Sequence, residues 1–130
     1  MAALVMVTFA VLLLIPYKRF KAGRRGRVKV NDFKFGESSD VPPDVSIPNR
    51  NLMNLLELPS LFYLACLTLY VTRNVDTSFI SLAWLYFALR VAHSLVHLTY
   101  NKVYHRLTVY AASNVVLAII WVRLLQALTK

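Results

Sequence analysis

Two histidines four residues apart, His93 and His97, stand between two arginines, Arg90 and Arg106, in a segment bracketed by uncharged runs at 78–89 and 107–122. At about 100° per residue, Arg90, His93, His97, Asn101 and Tyr104 share a stripe roughly 80° wide, provided one helix runs through all of them. Val91, Ala92, Leu95, Val96 and Leu98 take the other sides. Such a helix shows hydrocarbon to lipid and a ladder of ionisable groups to the protein interior. Charged groups at membrane depth are costly and face a bundle interior or a wet cavity, so the stripe reads as a functional site.

The histidines have the i, i+4 spacing of a two-histidine metal site, with His105 available as a third ligand. No acidic ligand is spaced to join them, and Arg90 and Arg106 would repel a cation. No metal is expected; hydrogen bonding or ring packing inside a bundle is. A second polar face precedes this one, with Arg50, Asn54, Glu57 and Leu61 at offsets of 0, 4, 7 and 11 on one helix side. Neither Glu57 nor Arg90 can sit ionised in hydrocarbon alone, so the two are expected to pair, with Asn54 and the histidines completing the hydrogen bonds. A pair that only fixes helix register would not need Arg50, Asn54, His93, His97, Arg106, Tyr110 and Asn114 as well. Several cations around one carboxylate suit a small zwitterionic or anionic ligand: arginines fork onto its carboxylates, and Glu57 accepts an ammonium or amide. Walker, GxSxG, HExxH and CxxC motifs are absent, so soluble-enzyme chemistries find no support.

The elements that must hold these groups are apolar. Of 130 residues, 58% are hydrophobic and only 16% charged, with a mean hydropathy of +0.53, more apolar than an ordinary soluble domain. The net charge of +9 does not point to nucleic acid, because nine of the fifteen Lys and Arg residues lie between Tyr17 and Arg50. A basic loop between apolar segments is what the positive-inside rule predicts of a cytoplasmic connection, where it also meets anionic lipid. Cys66 stands alone in an apolar run, which excludes an intrachain disulfide and favours packing.

Four helices are predicted, over about 2–20, 48–71, 78–100 and 107–128, forming one domain. The first is short for a span but is extended by Tyr17 and the stems of Lys18 and Arg19. Its positive charge follows the apolar run, which fits an anchor rather than a cleaved signal. Residues 21–47 form a basic loop, a linker or a gate over the bundle mouth, and VKVNDFKF alternates enough for a short extended piece. Ser46 is placed to cap the second helix, with Pro48 in its first turn and a kink or a re-satisfied backbone gap at Pro59. The fold is therefore an all-α, integral membrane four-helix bundle of up-down topology, with both termini non-cytoplasmic. Arg50, Asn54 and Glu57 of helix two, His93 and His97 of helix three, and Tyr110 and Asn114 of helix four then lie in one layer near the cytoplasmic end.

Arg50-x-x-x-Asn54-x-x-Glu57-x-Pro59, then Arg90-x-x-His93, then Arg106-x-x-x-Tyr110, resembles the family of membrane-associated proteins in eicosanoid and glutathione metabolism (MAPEG), here a bacterial-type, microsomal glutathione transferase-like member. The resemblance spans nearly the whole chain. It implies a homotrimer that binds glutathione between neighbouring subunits near the cytoplasmic side of the inner or cell membrane. It further implies that Arg50, Asn54, Glu57, Arg90, His93, His97 and Tyr110 surround glutathione and that Arg106 stabilises its thiolate. Departures are Met53 where the family's prostaglandin synthase has arginine, His97 for a tyrosine, and Leu107 for a serine.

The implied activity is transfer of glutathione to lipophilic electrophiles, or peroxide reduction, from a thiolate whose charged form Arg106 favours. The protein supplies proximity and charge stabilisation rather than a nucleophile of its own. The alternative is a non-catalytic lipid- or partner-binding membrane protein on the same scaffold. A small transporter or proton relay is a third class, opposed by the nearly apolar outer half of the bundle.

Overall fold

The computed structural model describes residues 1–129, and those residues are helical apart from their connections. Five helices form four spans: α1 (Ala2–Arg24), α2 (Pro43–Leu56) followed by α3 (Leu58–Val71), α4 (Thr77–Leu98) and α5 (Val103–Leu128). Each span is long and apolar enough to cross a membrane. The 23 residues of α1 reach about 35 Å at 1.5 Å per residue, against a hydrocarbon core of about 30 Å. α1 continues through Pro16 to Arg24, past the expected end near residue 20, and its last turn carries Lys21 and Arg24. Those cations complement the carbonyl end of the helix dipole.

The second span is two helices rather than one kinked helix. Proline has no N–H for the Leu55 carbonyl and its ring disfavours helical geometry at the residue before it, so continuity fails around Pro59. Glu57 takes up the break with φ −70° and ψ −94°, and the helix restarts with Ser60 N–H on the Glu57 carbonyl at 3.2 Å. The Ser60 hydroxyl donates to the same carbonyl at 2.5 Å.

α1 packs on α2, α4 pairs with α5, and α2 and α3 reach across to α4 and α5 respectively. Between them lies a core of Leu4 and Val11 from α1, Leu55 from α2, Phe62 and Ala65 from α3, Tyr86 from α4, and Leu117 and Leu124 from α5. The Phe62 and Tyr86 rings stack at 4.5 Å. Outward, Leu13, Leu64, Trp84, Val115 and Leu125 are among many large apolar side chains left exposed. A helix apolar on its outer face suits a lipid surrounding.

The long connection is more ordered than a plain linker. Val28 and Val41 bury against Ala22 of α1 and Val45 of α2, with Phe33 alongside. Arg27 forks onto both oxygens of Asp44 at 3.0 and 2.7 Å, and Arg19 meets Glu37 at 2.8 Å. The extended piece read from VKVNDFKF is instead a single 3₁₀ turn, Val30–Phe33, with only an isolated bridge between Lys34 and Gly36 after it. The Asp32 carboxylate accepts the Lys29 N–H at 2.7 Å, and this local bond wins over strand alternation. Pro42, not Ser46, occupies the cap position of α2; Ser46 is inside the helix and returns its hydroxyl to the Pro43 carbonyl at 3.3 Å.

Candidate functional site

Where α2, α4 and α5 converge, beside the 99–102 turn, lies a cavity of about 390 Å³ lined by Arg50, Asn54, His93, His97, Val103, Arg106, Leu107 and Tyr110. That volume falls in the range of about 300–1,000 Å³ typical of small-molecule sites. The lining includes two arginines and no carboxylate. Its chemistry is that of an anion receptor with two imidazoles and a phenol.

Each side chain arrives for a local reason. His93 and His97 are successive turns of α4, buried on its inner face, with ring centroids 5.9 Å apart. Tyr110 of α5 lies 5.5 Å from the His93 ring. α4 stops at Leu98, and Asn101 adopts the left-handed region at φ 48°, a conformation asparagine tolerates better than most residues. Its N–H reaches back to the Val96 carbonyl at 2.8 Å, closing the turn. α5 then starts at Val103, four residues earlier than expected, so Arg106 rides on the first turn of a helix rather than in a loop.

The turn aims the Asn101 side chain inward. Its Oδ1 accepts Arg106 Nη1 at 2.9 Å and faces His97 Nδ1 at 2.9 Å. A carbonyl oxygen only accepts, so at this position it suits a proton on His97 Nδ1. Arg106 Nη1 and His97 Nδ1 are themselves 3.3 Å apart. Asn101 was legible as part of a polar stripe but not as the group that orients Arg106, because that role depends on a non-helical turn. Tyr104 leaves the stripe for the same reason and is exposed. His105 turns away to Tyr100, whose hydroxyl lies 3.2 Å from its Nδ1, so it does not join the other histidines.

Arg90 is fully buried behind the cavity, its guanidinium 5.6 Å from the Tyr110 ring centre. It does not pair with Glu57. No such ion pair occurs among the described residues, and Glu57 is exposed. Glu57 keeps the helical register of α2, its N–H on the Met53 carbonyl at 3.0 Å, but the helix side that carries it is exposed there and does not meet Arg90. Arg90 Nη2 instead donates to the Asn54 backbone carbonyl, which lies just ahead of the interruption. The histidines do not bond to Arg90 either. Arg90 Nε and Nη1 and His93 Nδ1 are buried without a protein partner among the described residues. Buried polar atoms in that condition are unusual. Asn114, whose Oδ1 is also buried and unpartnered, is not among the cavity-lining residues. Nor is any residue of the 25–42 connection, so the loop does not cover the site.

Six of the eight expected site residues, from three different helices, thus line one cavity; Arg90 lies directly behind it, and Glu57 lies outside it on the protein surface. Comparison with curated proteins and with solved structures yields no match. The sequence profile of the MAPEG family matches residues 1–126 of the 130. A match of that extent, on a four-span helical membrane fold, makes the chain a member of the MAPEG family.

Proposed function

We propose that this protein is a membrane transferase or peroxidase that uses glutathione and acts on lipophilic electrophiles as a homotrimer. The observation that carries the reading is the acid-free cavity between α2, α4 and α5, with Arg106 held in place by Asn101. Glutathione is a tripeptide with two carboxylates. Arg50 suits one of them as a forked partner, and Asn54 and Tyr110 suit its amides. Arg106, restrained by the Asn101 oxygen, is the residue to set beside the sulfur, where its charge favours thiolate over thiol.

The electrophile arrives dissolved in the bilayer. As the new carbon–sulfur bond forms, the leaving group departs with its bonding pair, and Arg106 has by then contributed its effect by raising the thiolate fraction. Peroxide reduction begins from the same thiolate. Arg50 and Glu57 are exposed on a span that lipid would otherwise surround. An unpaired carboxylate facing hydrocarbon is costly, so a neighbouring protomer is the favoured cover, and Glu57 then serves the ammonium end of the ligand from the subunit boundary. The long basic connection is assigned to the cytoplasmic side by its charge.

Purified protein in detergent, given glutathione and an aryl halide beside its Arg106→Ala variant, tests the proposal. Turnover in the unmodified protein, lost in the variant with glutathione binding retained, is the expected result. Neither binding nor turnover in the unmodified protein would replace it with a non-catalytic lipid- or partner-binding role.

A further inference from the structure

At the end of α1 lies a second groove, separate from the cavity between α2, α4 and α5, with a volume of about 490 Å³. Its walls are Ile15, Pro16 and Phe20 of α1 and Val28, Val30 and Phe33 of the connection, and its rim carries Arg19, Arg24 and Lys29. Apolar walls under a cationic rim ask for an amphiphile with a negative head. The groove also lies at the right level. Ile15 ends the apolar run of the first span and Lys18 opens the basic one, so the groove crosses the depth where hydrocarbon gives way to headgroups.

The carboxylates nearby do not neutralise this rim. Glu37 is taken by Arg19, whose guanidinium also lies 4.4 Å over the Phe33 ring, and Asp32 is taken by the Lys29 backbone N–H. Arg24 and Lys29 form no ion pair among the described residues. Around the same end of the molecule, Phe20, Val30 and Phe35 stand 72%, 90% and 92% exposed. Apolar side chains that open, interleaved with Lys29 and Lys34, fit insertion among lipid headgroups rather than contact with water.

We propose that this groove binds one anionic phospholipid, an acyl chain lying along Ile15, Pro16 and Phe20 and the phosphate between Arg24 and Lys29. A neutral lipophile would gain nothing from the rim, and a free phosphate would gain nothing from the walls. The site is independent of any thiol chemistry between α2, α4 and α5.

Native mass spectrometry of the protein released from bilayers of equal phosphatidylglycerol and phosphatidylcholine, with matched acyl chains, tests this. The expected result is preferential retention of one phosphatidylglycerol per chain. R24Q and K29Q, both at exposed positions, should each lower that retention by about fivefold, in line with the weight of one basic residue near an anionic surface. F20S, which removes the wall and not the charge, should weaken retention of both lipids alike. Equal retention of the two lipids, indifference to R24Q and K29Q together, or displacement of the lipid by glycerol phosphate would overturn the proposal. So would a trimer that retains no lipid, since a neighbouring protomer would then be the cover.

Discussion

Asn101 Oδ1 accepts a hydrogen bond from Arg106 Nη1 at 2.9 Å, joining the turn after α4 to the first turn of α5. The same oxygen holds His97, so one amide orients two of the groups lining the cavity. Asn101→Ala should leave the fold intact and weaken the arginine's grip on the sulfur. Loss of a hydrogen bond to a charged group is worth about 1.5–3 kcal/mol, roughly a ten- to hundredfold fall in turnover. The discriminating readout is the thiolate absorbance of bound glutathione followed against pH. Its midpoint should move upward in the variant; an unmoved midpoint with reduced turnover would assign Asn101 a merely structural part.

Pro59→Ala restores the N–H that the second span lacks. α2 and α3 should then approach one continuous helix, and Leu58 N–H should compete with Arg90 for the Asn54 carbonyl. Helix content by circular dichroism should hold or rise. Glutathione affinity should fall by about tenfold, the effect of misplacing one charge-assisted bond at the site. Unchanged affinity would show that the interruption has no bearing on the cavity.

Glu57 makes no ion pair among the described residues, so Glu57→Gln separates assembly from folding. Thermal stability of the detergent-solubilised monomer should be unchanged. Glutathione binding by the assembled protein should weaken by about tenfold, as expected when one charged partner of a ligand is lost. Equal binding in both proteins would remove Glu57 from the ligand's surroundings.

His105 and His97 offer a paired control. His105→Ala, at an exposed side chain that faces Tyr100, should change glutathione binding by no more than about twofold, the usual range for surface substitutions. His97→Ala breaks the contact with Asn101 and should lower binding well beyond that. Calorimetric titration of both variants decides it; equal effects would detach the cavity from the histidine on its wall.

Much of the site was legible because helical periodicity survives wherever a helix does. Arg50 and Asn54 are one turn apart within α2, as are His93 and His97 within α4 and Arg106 and Tyr110 within α5, and all six reach the same cavity. Glu57 keeps helical register too, but periodicity says which residues share a face and not what that face meets, and at Glu57 it is exposed. Asn101 and Tyr104 escaped it because the left-handed turn at Asn101 ends the stripe. In the connection, alternation in VKVNDFKF resembled a strand, whereas the Asp32 side chain captured the Lys29 N–H and closed a turn instead. A local side-chain bond to the backbone decided that difference, and such bonds are invisible to a hydrophobicity pattern.

The four-residue junction between Leu98 and Val103 also sets a length rule for the protein's descendants. Adding or deleting one residue there would disrupt the left-handed turn at Asn101 and displace the oxygen that joins Arg106 to His97. At the opposite end, residues 72–76 join α3 to α4 without lining the cavity, and a change of length there leaves the site in place. Insertions and deletions should therefore accumulate on one rim of the bundle and be purged from the other.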